Sequence, residues 1–239
     1  MHTVICKLPK TATLVTLLAF VIMFTLGAWQ LQRANEKSLR LNQIEQARAN
    51  APFSLVDILK HKDEQQDLPL KVRGRAAHDS YFLLDNKIEQ GKVGFHVLVP
   101  LETEQGWLFG NFGWIAGTGD RRRLPSVALD PLLQTYHGVI AIPTLNPMIT
   151  ETATVDGVWP KLIQQIDLAL MQQHFGQVFL PVVLLLDPDE KSPFIRNWQP
   201  VVMPPEKHIG YAIQWFGLGI AALVIFIFAQ RNRLRKEQM

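Results

Sequence analysis

The chain has 239 residues, 48% of them hydrophobic, with a mean hydropathy of +0.07, and two uncharged apolar runs, Thr11 to Trp29 and Ile209 to Ala229, carry the excess. Each run is about the ~20 residues a helix needs to cross a bilayer, which excludes a purely soluble protein. The formal charge of +3 also divides unevenly: the tails outside the runs sum to +5, while Gln30 to His208 holds 18 Lys and Arg against 20 Asp and Glu. A slightly acidic middle excludes a nucleic-acid-binding domain, whose positive charge has to lie on the folded part.

In chain order, the sequence predicts a short cytoplasmic tail (1–10), a first transmembrane helix (11–29), an extracytoplasmic domain (30–208), a second transmembrane helix (209–229) and a basic cytoplasmic tail (230–239). Basic tails on one side of the membrane follow the positive-inside rule. A cleaved signal peptide is the alternative for the first run; its length, and the absence of an A-x-A site before Trp29-Gln30-Leu31-Gln32-Arg33, favour a retained anchor. Without a long Arg-rich, acid-poor presequence, the expected location is a bacterial plasma membrane. Cys6, the single cysteine, lies in the first tail ahead of the apolar run, so the middle domain is expected to fold without disulfides and no lipid-acylation role is assigned to it.

Good helix formers from Arg33 to Ala49 continue the first helix outward until Pro52 ends it. The polar stretch His61 to Asp67 reads as a surface loop. Strands are predicted at Leu68 to Ala76, Tyr81 to Leu84 (before a turn at Asp85-Asn86), Val93 to Leu101, Trp107 to Ile115, Tyr136 to Ile142 and Val178 to Leu186. The third and fourth flank a short turn and form an antiparallel hairpin. Leu162, Ile166, Leu170 and Phe175 mark one face of a helix over Lys161 to Phe175, closed by Gly176. Without β-α-β alternation, the fold class is α+β: two transmembrane helices flanking one domain built on a mainly antiparallel sheet or half-barrel.

Signs of catalysis are weak. Gly117-Thr118-Gly119-Asp120 before Arg121-Arg122-Arg123 lacks the following helix and the lysine of a phosphate loop, and reads as a solvated basic loop; contact of the three arginines with anionic headgroups or a partner is the alternative if the loop faces the membrane. Asp187-Pro188-Asp189-Glu190 reads as a solvated turn, and neither Ser126 nor Ser192 has a nucleophile-elbow context. None of the seven histidines forms an H-x-x-x-H pair. His208 alone stands out, at the outer mouth of the second apolar helix. At 100° per residue, His208, Tyr211, Ala212, Trp215 and Gly219 fall within about 100° of one another, while Gly210, Gln214, Gly217 and Ala221 make a small-residue strip opposite, suited to packing against another helix. Spacing leaves two readings of the first face. One is an interfacial aromatic belt with a polar cap; the other is a haem-type pocket with His208 as axial ligand and Tyr211 and Trp215 as lining.

Several of these residues carry a resemblance. Gly27-Ala28-Trp29-Gln30-Leu31-Gln32-Arg33 resembles the G-x-W-Q-x-x-R signature of the surfeit locus protein 1 family, and His208-x-x-Tyr211-Ala212-x-Gln214-Trp215-Phe216 its C-terminal signature. Val72-Arg73-Gly74, Gly91-x-x-Gly94-Phe95, Gly113-Trp114-Ile115 and Trp198-Gln199-Pro200 are similar to its central landmarks. Phe112 departs from the family, where a basic residue commonly precedes Gly-Trp. The resemblance implies a non-enzymatic assembly factor that assists haem a insertion into the catalytic subunit of cytochrome c oxidase. His208 then takes the position of the haem ligand, and haem a synthase or a second copy of the chain are further partners. A tethered enzyme and a two-span sensor are the competing classes; the first lacks a catalytic motif, and the second has about ten residues after its last helix, too few for a signalling domain.

Overall fold

The computed structural model describes residues 9–60, 65–119, 123–151, 153 and 158–237. Cys6, part of the His61 to Asp67 stretch, Asp120, Arg121 and Arg122 lie outside the described residues. The elements in order are α1 (Lys10–Ala49), β1 (Phe53–Ser54), α2 (Leu55–Lys60), β2 (Pro69–Ala76), β3 (Phe82–Glu89), β4 (Lys92–Thr103), β5 (Gly106–Ala116), β6 (Gln134–Ala141), β7 (Lys161–Ile163), α3 (Leu168–Phe175), β8 (Phe179–Leu186) and α4 (Pro205–Glu237). They form two compact units with the boundary inside α1: Ile44–Pro200, and the helical remainder.

The first unit is a closed barrel of five strands, β2-β6-β8-β5-β4. Every contact around the ring is antiparallel except β5 with β8. The expected half-barrel closes because β2 pairs on both edges: Gly74 faces Gln134 of β6 and Thr103 of β4. A Cβ at Gly74 would stand 2.8 Å from the Glu102 carbonyl, so only glycine lets the strand turn the corner there. β1 adds to β2 in parallel, β3 to β4 antiparallel, and β7 to β3 in parallel.

Strands β4, β5 and β8 read as nearly unbroken apolar runs because both of their faces are covered. Val97, Val99, Leu101, Leu108, Val182, Leu184 and Leu186 join one core cluster with Leu70 and Val72. Leu98, Phe109, Phe179 and Val183 point the other way, into a second cluster with Met171 of α3, Phe82 and Ile163. Phe109 and Phe179 stack there at 3.9 Å between centroids.

The β4/β5 hairpin forms as expected across its short turn, but three expectations differ. The Asp85-Asn86 turn is a bulge within a longer strand: Asp85, buried, accepts the Asn86 amide at 2.7 Å and holds Asn86 at φ 58°, after which pairing with β4 resumes. The helix expected from Lys161 begins only at Leu168. Asp167 caps it by accepting the Ala169 and Leu170 amides, and Lys161–Ile163 instead satisfies the free edge of β3. The polar stretch before β2 is not all surface, since Gln65 is buried and donates to the Ile58 carbonyl at 2.8 Å.

Two sequence landmarks are structural joints. Phe112 is the extra residue of a bulge between Val97↔Gly113 and Leu98↔Asn111. Its ring packs edge-on to Tyr136 and Phe194 in the core, so this aromatic serves packing. Gly113 has φ 122° and lies where a Cβ would meet the Ile195 carbonyl at 2.7 Å. Trp114 next to it is buried, exchanges backbone hydrogen bonds with Ile195 and donates its indole N–H to the Lys87 carbonyl.

Candidate functional site between the two apolar helices

α1 and α4 are both long and apolar enough to span a membrane, and only 6% and 11% of their most apolar windows is buried within the protein. Helices so exposed suit lipid on most of their circumference, so their mutual contact rests on close packing and polar pairs. On α1 the buried residues are Gly27, Ala34 and Ile44; on α4 they are Pro205, His208, Ala212 and Gly219. A Cβ at Gly27 would lie 2.6 Å from the Phe216 ring, and one at Gly219 would lie 3.2 Å from Phe24. Phe24 and Phe216 meet edge-on at 5.0 Å, and Phe20 continues the aromatic row at 4.2 Å from Phe24. Small residues thus make the hollows and phenylalanines fill them.

The strip Gly210, Gln214, Gly217 and Ala221, expected to pack on a neighbouring helix, is not the face used. Those residues are exposed, and nothing lies within 4 Å of a Cβ built at Gly210 or Gly217. The face through His208 wins because it combines small residues with a polar group that α1 can satisfy.

That polar contact is the centre of the site. His208 is 8% exposed, and its Nδ1 lies 2.7 Å from Oε1 of Gln30, which is half-buried on α1. The other ring nitrogen, Nε2, is buried and has no hydrogen-bond partner among the described residues. A buried polar atom left unmatched costs roughly 1–3 kcal/mol. An unpaired imidazole nitrogen whose opposite nitrogen is held by an amide is the arrangement expected of a metal-ligating histidine.

The remaining sequence-marked residues are only partly gathered here. Tyr211 is 44% exposed and Trp215 is half-buried, on the flank of the His208-Ala212-Gly219 line. Trp29 is exposed, with the Arg33 guanidinium 5.5 Å over its ring and Arg33 paired to Glu36 at 2.8 Å, so these residues make a surface belt along α1. Gly113 and Trp114 belong to the barrel. Among the described residues, no three His, Cys, Asp or Glu side chains are grouped to hold a metal ion.

Sequence reasoning passed over His96 as an ordinary histidine. It packs edge-on to Trp198 at 5.3 Å, lies 3.5 Å from the Asn111 amide nitrogen, and lines a cleft of about 300 Å3 with Trp198, Gln199 and Pro200. Burial, then the nearby Lys87 charge, lowers its pKa to about 4. Tyr136, whose hydroxyl is buried without a partner among the described residues, is pushed up to about 12 by burial and by Asp130. It lines a second cleft of about 480 Å3 with Asp187, Asp189 and Arg196. No local pattern in the sequence marks either cleft, because each draws on strands and loops far apart in the chain.

Two helices apolar enough to span a membrane, one of them bearing a buried histidine, and a closed five-strand barrel define an α+β protein whose architecture fits a membrane protein. The SURF1 family profile matches residues 17–220, so the chain belongs to the SURF1 family. It is 23% identical over 228 residues to a SURF1-like protein of Rickettsia felis, covering 92% of this chain and 96% of that one. A SURF1-like protein of Rickettsia bellii is 22% identical over 231 residues, covering 92% and 90%.

Proposed function

We propose that this chain is an assembly factor for cytochrome c oxidase that holds haem a on its way to the catalytic subunit, with His208 as an iron ligand. The SURF1 family is one of cytochrome c oxidase assembly factors, which supports the first part. One observation supports the second: Nε2 of His208 is buried and unpartnered while Nδ1 is held by Gln30. The residues fit the group, because a neutral imidazole offers a lone pair and the apolar helix faces beside it suit a macrocycle. Haem a would supply the iron that takes up this lone pair. The chain's own part is to orient the imidazole through Gln30, keep its Nε2 buried from water, and flank it with Trp215 and Tyr211. The role is carriage, not turnover, in keeping with a sequence that has no nucleophile or metal motif.

We place the protein in a bacterial plasma membrane with the barrel outside. The catalytic subunit is its main partner, and haem a synthase or a second copy of the chain are further ones. The deciding experiment is the visible spectrum of the full-length protein, purified in mild detergent from cells making haem a, beside that of His208→Ala. A haem a spectrum that weakens or shifts in the variant is the expected result. A colourless native protein, with haem a present in the same membranes, would remove the carrier role and leave a scaffold for the oxidase subunit.

A further inference from the structure

We propose that Gln30 is the positioning residue of the haem site: it fixes the His208 tautomer, so the ligand exists only when both apolar helices are packed together. The inference rests on the reading of His208 as a ligand and adds the device that makes it one. A neutral imidazole carries one N–H, and only its bare nitrogen can bind a metal. The Gln30 amide oxygen, 2.7 Å from Nδ1, can only accept. With that oxygen as its partner, Nδ1 carries the proton, which leaves the lone pair on Nε2, the nitrogen that is buried and without a partner among the described residues. A hydrogen bond serving only to join two helices would not need a second nitrogen stranded dry beside it.

The partners are separated by 178 positions and come from opposite ends of the chain. What brings them into register is the packing below them. Gly27, three residues before Gln30, receives the Phe216 ring, and Gly219 receives Phe24. Rotation of α1 by one residue turns Gln30 through ~100° and breaks the bond. The two signature segments at the ends of the chain thus form one device: the second carries the ligand and the first sets its protonation. A glutamine where an apolar helix emerges is otherwise a cost, since it needs a partner.

The test uses full-length protein from cells making haem a, in four forms: native, Gln30→Leu, Gln30→Glu and His208→Ala. Haem a content and band position are read for each. Samples freed of haem and labelled with 15N-histidine report the His208 tautomer by NMR. Gln30→Leu is expected to weaken haem a retention about 10–100-fold, the range for loss of a group orienting a metal ligand. Gln30→Glu keeps the acceptor and is expected to retain haem a and to lower its midpoint potential, because a carboxylate makes the ring a stronger donor. Retention by the glutamate form also shows that the helix pair tolerates change at this position. A leucine form that holds haem a as tightly as the native protein, or a native His208 protonated on Nε2, overturns the role of Gln30 while leaving His208 as ligand. If native protein and His208→Ala are equally colourless, the ligand reading fails, and this inference with it.

Discussion

His96 lies on β4 with one ring nitrogen 3.5 Å from Asn111 and its ring perpendicular to that of Trp198, and its pKa falls to about 4 through burial and then Lys87. In the unfolded chain it returns to about 6.5. Between those values the unfolded state binds more protons than the native one, so stability rises with pH across the window, is complete above about 6.5, and is lost as pH falls toward 4. The full swing is about 3 kcal/mol at 1.36 kcal/mol per pKa unit. Denaturant unfolding in detergent at pH 7 and at pH 4.5 should show this loss in the native chain and much less of it in His96→Gln. Equal losses would place the acid sensitivity elsewhere. His208 differs in kind: its burial leaves one nitrogen satisfied and one bare. The sequence marked His208 by its place at the head of an apolar helix. It gave no sign of His96, whose neighbours Asn111 and Trp198 are distant in the chain.

At the scale of elements, α1 and α4 meet through glycines and phenylalanines, not through a long apolar seam. Gly27→Leu would drive a side chain into the space of Phe216. Overpacking of this kind costs about 1–3 kcal/mol. The variant should melt at lower temperature in detergent and lose whatever cofactor the native protein retains, while the barrel's tryptophan fluorescence stays unchanged. A native melting curve for Gly27→Leu would show that the helices are not packed on this face. The same element-level physics accounts for the helix that starts late. Apolar spacing from Lys161 to Phe175 fits a helix, but Asp167 is a strong cap, and the open edge of β3 takes Lys161–Ile163 as a strand. Periodicity cannot weigh a distant strand's unpaired amides against a local helical face.

Across the whole molecule, charge and apolar runs set the expected arrangement in the membrane. The last turns of α4 carry Arg231, Arg233, Arg235 and Lys236, while the middle of the chain is near −2. The proposed orientation predicts that alkaline phosphatase fused after Asp130 is active in a bacterial host and that the same reporter fused after Lys236 is inactive. The reverse pattern would overturn an external barrel. Composition, two uncharged runs, the alternation of β2 and the short turn between β4 and β5 were sufficient for the class, the two span-length apolar helices and the central hairpin, because each is a local or one-dimensional property of the chain. Barrel closure was not legible: it depends on Gly74 pairing with Gln134 on one side and Thr103 on the other. The candidate site was half legible. His208 and Gln30 each stood in a recognisable segment at an end of the chain. That they share a hydrogen bond, and that His208 keeps a bare nitrogen, was decided by tertiary packing alone, because the fit of Phe216 over Gly27 and of Phe24 over Gly219 sets which faces of the two helices meet.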